Sequence, residues 1–104
     1  MKVIYNVTIK IDTSLSEDWL LWMKTVHIPA VMATGCFESC KLTRILGDDD
    51  EHGVGFAIQY IAISMSEFER YQSGHASHLQ GLHSARYNGR YAAFRTLMEV
   101  VHEI

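Results

Sequence analysis

Residues 3–11 alternate. Val3, Tyr5, Val7, Ile9 and Ile11 interleave with Ile4, Asn6, Thr8 and Lys10, and β-branched side chains dominate, so the stretch predicts a strand. Asp12 and Thr13 close it, and the period then changes. Leu15, Trp19, Trp22, Met23, Val26 and Ala30 recur at helical spacing and define a buried stripe, with His27 four residues beyond Met23 on the same side. Ser14-Leu-Ser-Glu17 has the form of a capping box, and Glu17 and Asp18 suit the positive end of the helix dipole. Pro29 lacks an amide proton and clashes with the preceding turn, so the helix is expected to end or kink near His27. Pro29 then suits the start of a short new turn, which Gly35 can end with a positive φ.

Residues 36–46 and 54–62 read as two further strands joined by the polar loop 47–53, which has glycine at both ends. A second helix is expected from Ser66, where Ser66-Glu-Phe-Glu69 repeats the capping-box form. It carries Phe68, Tyr71, His75, Leu79 and Leu82 on one side, and Gly74 weakens its middle. Asn88-Gly89 ends it, and residues 90–101 form the last strand. The order is β-α-β-β-α-β. That predicts an α+β, ferredoxin-like fold, with both helices on one face of a four-stranded antiparallel sheet. Residues 1–104 are long enough for one domain and not two.

The strand faces differ. Alternation assigns Val3, Tyr5, Val7, Ile9, Val54, Phe56, Ile58, Tyr60, Phe94, Met98 and Val100 to the helix-covered face. The opposite face receives Ile4, Asn6, Thr8, Ala57, Gln59, Ile61, Tyr91, Arg95, Leu97 and Glu99, a mixture too apolar for water and too polar for a dry core. One account joins two such faces in a homodimer with a closed, semi-polar barrel interior. The other leaves a monomer with a mixed open sheet. A single bulge would reverse every assignment beyond it.

Composition removes several function classes. The formal charge is -3, which argues against a nucleic-acid partner, where a basic face is expected. No apolar run approaches the roughly 20 residues that span a bilayer, so no membrane role is expected. The opening residues turn polar too soon for a signal peptide. Cys36 and Cys40 would lie roughly 13 Å apart along a strand, too far to bridge, and reduced thiols fit a cytoplasmic protein. No phosphate loop, dinucleotide fingerprint or nucleophile elbow is present, so no cofactor is called for.

Several stretches together resemble a known family: Tyr5-Asn6-Val7-Thr8, Trp19-x-x-Trp22-Met23, His27-Ile28-Pro29-x-Val31-Met32-x-Thr34-Gly35-x-Phe37, Gln59-Tyr60, Glu69-Arg70-Tyr71, His75-Ala76 and Ala93-Phe94-Arg95-Thr96-Leu97. It is a bacterial family of about 100 residues described only as a domain of unknown function. More broadly the chain resembles dimeric α/β barrels. They include cofactor-independent monooxygenases, small-molecule isomerases, dehalogenases, haem-degrading proteins and stress-response barrels. The resemblance implies a homodimer with a cavity between sheet and helices, and it transfers no catalytic residue.

His27 is the leading candidate for chemistry, because a histidine at a helix break beside a cavity can serve as general acid or base near neutral pH. The structural alternative is that it caps carbonyls exposed at Pro29. Asn6, Gln59 and Arg95, with Glu99, are expected to converge in the barrel interior and orient a polar or anionic small molecule, Arg95 taking its carboxylate. The alternative there is an Arg95–Glu99 ion pair. His75 is a further binding candidate. With His78 it shares a helix face, but His83 is expected to point away, so no metal site of three or four ligands is predicted; a haem would need only one axial histidine. The run Asp48-Asp49-Asp50-Glu51 reads as a solvated loop. Two functions remain: a cofactor-independent enzyme resembling a monooxygenase or isomerase, and a non-catalytic ligand-binding or stress-response barrel.

Overall fold

The computed structural model describes residues 1–104. Strands β1 (Val3–Ile11), β2 (Ser39–Arg44), β3 (Val54–Ala62) and β4 (Tyr91–Glu99) form one antiparallel sheet in the order β2-β3-β1-β4. Helices α1 (Ser16–Trp22) and α2 (Ile28–Met32) follow β1, and α3 (Met65–Gly74) and α4 (Ala76–Tyr87) follow β3. This is the ferredoxin-like β-α-β-β-α-β arrangement read from the sequence. Val3, Tyr5, Val7, Ile9 and Ile11 from the central strand join Phe56, Ile58 and Tyr60 from β3, and Trp19, Met23, Phe68, Tyr71 and Leu79 from the helices, in one buried cluster. No helix is long and apolar enough to cross a membrane.

The first helical stretch breaks near His27 as expected, and Pro29 sits in the first turn of α2, but the break is a change of winding rather than a stop. The five residues Met23–His27 form a π-helical turn, in which the Ile28 amide donates to Met23 O, five residues back. The wider turn gives the Pro29 ring room against the carbonyl it would meet in a regular α-helix. It also slips the helical phase by one residue. Val31 is buried where Ala30 was expected, and Val26 turns outward at 50% exposure. The helix starts differently too. Asp12 Oδ1 accepts from the Ser14 amide at 2.9 Å ahead of a short 3-10 turn, and the Ser14–Glu17 box does not form.

The second helical stretch slips in the same way. Its cap is Ser64, whose Oγ accepts from the Glu67 amide at 3.3 Å, so the helix begins ahead of the expected Ser66. At His75 the backbone leaves the helical region (φ -134°, ψ -32°), and α4 restarts at Ala76. The buried stripe becomes Ala76, Leu79, His83 and Tyr87, while Leu82 faces out.

β4 is reversed relative to the expected face assignment. It pairs with β1 so that Tyr5 lies opposite Leu97, Val7 opposite Arg95 and Ile9 opposite Ala93. Paired residues share a face, so Tyr91, Arg95, Leu97 and Glu99 lie on the helix side, and Phe94 and Met98 lie on the open side. Both faces of this strand are about equally apolar, so hydropathy alone does not choose its register. The β1–β3 register keeps Asn6 opposite Gln59 on the open face, as read. β2 is shorter than expected, so Cys36 precedes it; both cysteines are free.

Candidate functional site

Between the sheet and the helices lies a cavity of about 30 Å³, room for a water or two. The sheet contributes Tyr5, Val7, Ile58, Tyr60 and Arg95, and the helices contribute Met23, His27, Tyr71, Gln80 and His83. Each phase slip brings a histidine to it. The π turn ends at His27, and the restart at Ala76 turns His83 inward.

His83 is held in one tautomer. The Trp19 indole Nε1–H donates to His83 Nε2 at 2.9 Å. An indole only donates, so Nε2 is the bare nitrogen and the neutral ring carries its proton on Nδ1. Nδ1 has no protein partner and is not fully buried, on a ring that lines the cavity. Burial, reinforced by the charges of His27 and Arg95, lowers the pKa of His83 to about 4.

His27 stacks on Trp22, with ring centroids 5.0 Å apart, and stands edge-on to His83 at 5.7 Å. Burial lowers its pKa to about 4 as well. Its ring makes no hydrogen bond within the chain, neither to an amide of α2 nor to the carbonyls near Pro29 that it was expected to cap. Two neutral imidazoles therefore meet at one wall of the cavity at neutral pH. A perturbed, mutually interacting pair in a concave site suits acid–base chemistry.

The opposite wall is polar. Tyr5 OH accepts from Arg95 Nε at 3.1 Å and from Gln80 Nε2 at 3.3 Å. The Tyr5 ring is fixed by Phe37, Tyr60, Phe68 and Tyr71, all with centroids within 6.3 Å. The remaining arginines each pair with a carboxylate: Arg44 with Asp49, Arg70 with Glu67, Arg86 with Asp18 and Arg90 with Asp12. Arg95 has none, and the alternative pair with Glu99 does not form.

The sequence-predicted set is thus divided by the sheet. His27 and Arg95 line the cavity. Asn6 and Gln59 pair on the open face, where Asn6 Nδ2 donates to Thr8 Oγ1 at 3.1 Å. They do not converge with Arg95, because the β4 register is reversed. His75 sits at the α3–α4 break and lines a separate surface cleft with His78. No three metal-ligating side chains converge anywhere in the chain. Sequence reading missed His83, Tyr5 and Trp19. The spacing of Ala76, Leu79, His83 and Tyr87 is itself a helical stripe and signals His83's inward position.

The fold recurs in solved structures. A dimeric ferredoxin-like protein from an uncultured marine organism superposes with a TM-score of 0.73 at 12% identity, covering 99% of this chain and 98% of that one. A point mutant of SnoaB, a cofactor-independent oxygenase from Streptomyces nogalater, gives 0.70 at 9% identity, with 99% and 96% covered. A point mutant of MhuD, with two manganese protoporphyrin IX bound per active site, gives 0.67 at 18% identity, with 98% and 97% covered. No curated protein matches the chain. A family model does, over residues 2–101, and the chain belongs to that family, the Domain of unknown function (DUF4286).

Proposed function

We propose that the protein is a homodimeric α/β barrel that binds a small organic molecule between its sheet and helices and moves a proton on it without a cofactor. The observation that carries this reading is the neutral His27–His83 pair on one cavity wall. His27, free of protein hydrogen bonds, takes a proton from a carbon acid or phenol. The His83 Nδ1–H, fixed by Trp19, donates to the oxygen on which negative charge grows. Returning the proton to another atom is isomerisation. The enolate or phenolate formed is also the electron-rich species on which cofactor-independent oxygenation depends. The likeness to SnoaB supports that class through fold alone.

Deuterium exchange at the benzylic carbon of phenylpyruvate, followed by proton NMR, tests the reading. We expect wild-type protein to accelerate the exchange and His27→Gln to lose most of that acceleration. Equal rates for the two proteins would remove the catalytic reading. The second reading is a non-catalytic ligand-binding or stress-response barrel, and the cavity's volume, about 30 Å³, favours its form without an interior ligand. The homodimer draws support from the open face, where Phe94 is 69% exposed, and from the neighbours described as dimeric.

A further inference from the structure

A second cleft, of about 280 Å³, lies on the outer side of Arg95. Its walls are Tyr5, Phe68, Gln72, Arg95, Thr96 and Leu97. Tyr5 and Arg95 therefore belong to both spaces, and their hydrogen bond is the partition between them. The two sides of that bond differ in freedom. Aromatic neighbours lock the Tyr5 ring, whereas Arg95 is a long, exposed side chain on an edge strand, tied only by its Nε–H. The guanidinium is the one arginine head on the chain without a carboxylate.

Resting on the small-molecule reading above, we propose that the ligand is an aromatic carboxylate and that Arg95 is both its anchor and the movable partition. A carboxylate in the outer cleft offers the planar, two-oxygen partner that a guanidinium fork matches. Turning to meet it, Arg95 leaves Tyr5 and joins the outer cleft to the inner cavity. The ligand's ring packs against Tyr5, Phe68 and Leu97 in the outer cleft, at the opening towards the inner cavity. Tyr5 OH keeps Gln80 as a donor, so the phenol is not stranded when Arg95 departs. Charge thus sets the ligand class, and the aromatic lining sets its body.

Calorimetric titration with 2-naphthoate and with its neutral isostere 2-naphthamide tests this. Wild-type protein is expected to bind the carboxylate about tenfold or more tighter than the amide. In Arg95→Gln that preference is expected to vanish because naphthoate weakens, while naphthamide binds at least as tightly as in wild type, the partition being gone. Tyr5→Phe, which unlatches Arg95 but keeps its charge, is expected to retain the preference for the carboxylate. Equal binding of both probes to wild type would overturn the proposal and leave the cavity reading standing. So would unchanged naphthoate affinity in Arg95→Gln, or loss of the carboxylate preference in Tyr5→Phe. Binding of neither probe to any of the three proteins would remove both readings.

Discussion

Trp19 Nε1 and His83 Nε2 lie 2.9 Å apart, joining α1 to α4 across the buried side of the sheet. The bond ties packing to chemistry, because the indole that fills the core also decides which nitrogen of His83 carries the proton. Trp19 is fully buried and packs on Phe56 at 4.9 Å between ring centroids. Its position is therefore set by the core, and His83 inherits it.

Trp19→Phe should keep much of the apolar volume but leave His83 Nε2 without its donor. An unsatisfied buried acceptor costs about 1–3 kcal/mol, and the smaller ring adds a packing loss. Urea denaturation should show a destabilisation of at least that size. Nitrogen-15 NMR of the imidazoles should show His83 leaving its single tautomer. A variant as stable as wild type, with His83 still protonated at Nδ1, would mean that the indole does not set the tautomer.

Acid should weaken the fold in two separate windows. His83 is 5% exposed, and its pKa falls from 6.5 to about 4. Between those values the unfolded chain binds a proton that the folded chain refuses, so stability falls as pH drops from about 6.5 towards 4. The full loss through His83 is on the order of 3 kcal/mol. His27 titrates in the same window and in the same direction. Asp12, held low by Ser14 and Arg90, loses its contribution only below the ordinary carboxylate value of 3.8, towards about 2. Denaturation series from pH 8 to 4 should therefore slope below pH 6.5, and His83→Gln should flatten that slope. An unchanged slope in the variant would place the titration elsewhere.

The order of elements was legible because the hydrophobic period changes cleanly, from two in residues 3–11 to the helical period around Trp19 and Met23. The central strands were legible face by face, since one side of them is wholly apolar or aromatic while the other carries Asn6, Thr8, Lys10 and Gln59. What the period could not show was a change of phase inside one element. Val26 and Ala30 fit a regular helix as well as His27 and Val31 fit one containing a π turn, and Leu82 fits as well as His83. β4 offers Tyr91 and Leu97 on one side and Phe94 and Met98 on the other, so its register is fixed by pairing with β1, a long-range contact. The site lies where those phase changes occur. His27 was recognisable from the proline beside it, and His83 was not.

The two candidate caps of the second helical stretch make separable claims. Ser64 Oγ holds the Glu67 amide, whereas the Ser66 hydroxyl lies 3.1 Å from Ser64 Oγ inside the first turn. Ser64→Ala should cost about 1 kcal/mol, and Ser66→Ala should stay within about 0.5 kcal/mol of wild type. Thermal and urea unfolding of the two variants would compare them directly. The reverse ranking would return the helix start to Ser66.

Phe94 is the residue on which the dimer turns. It lies opposite Thr8 on the open face, with Ala57 next across the sheet, and 69% of it is exposed. Ile4, Ile61 and Met98 share that face with Asn6, Gln59 and Thr96. A second copy laid on this surface would bury the ring among apolar neighbours while the amides pair across the junction. Light scattering at micromolar concentration should then give twice the chain mass of 11.9 kDa. Phe94→Asp should return the single-chain mass, since two carboxylates would be forced into the shared interior in place of two apolar rings. The substitution falls on an exposed edge-strand position, so the monomer should keep its far-ultraviolet circular dichroism. Wild-type protein that runs at the single-chain mass would remove the barrel, whereas a Phe94→Asp protein that remains dimeric would move the interface off this face.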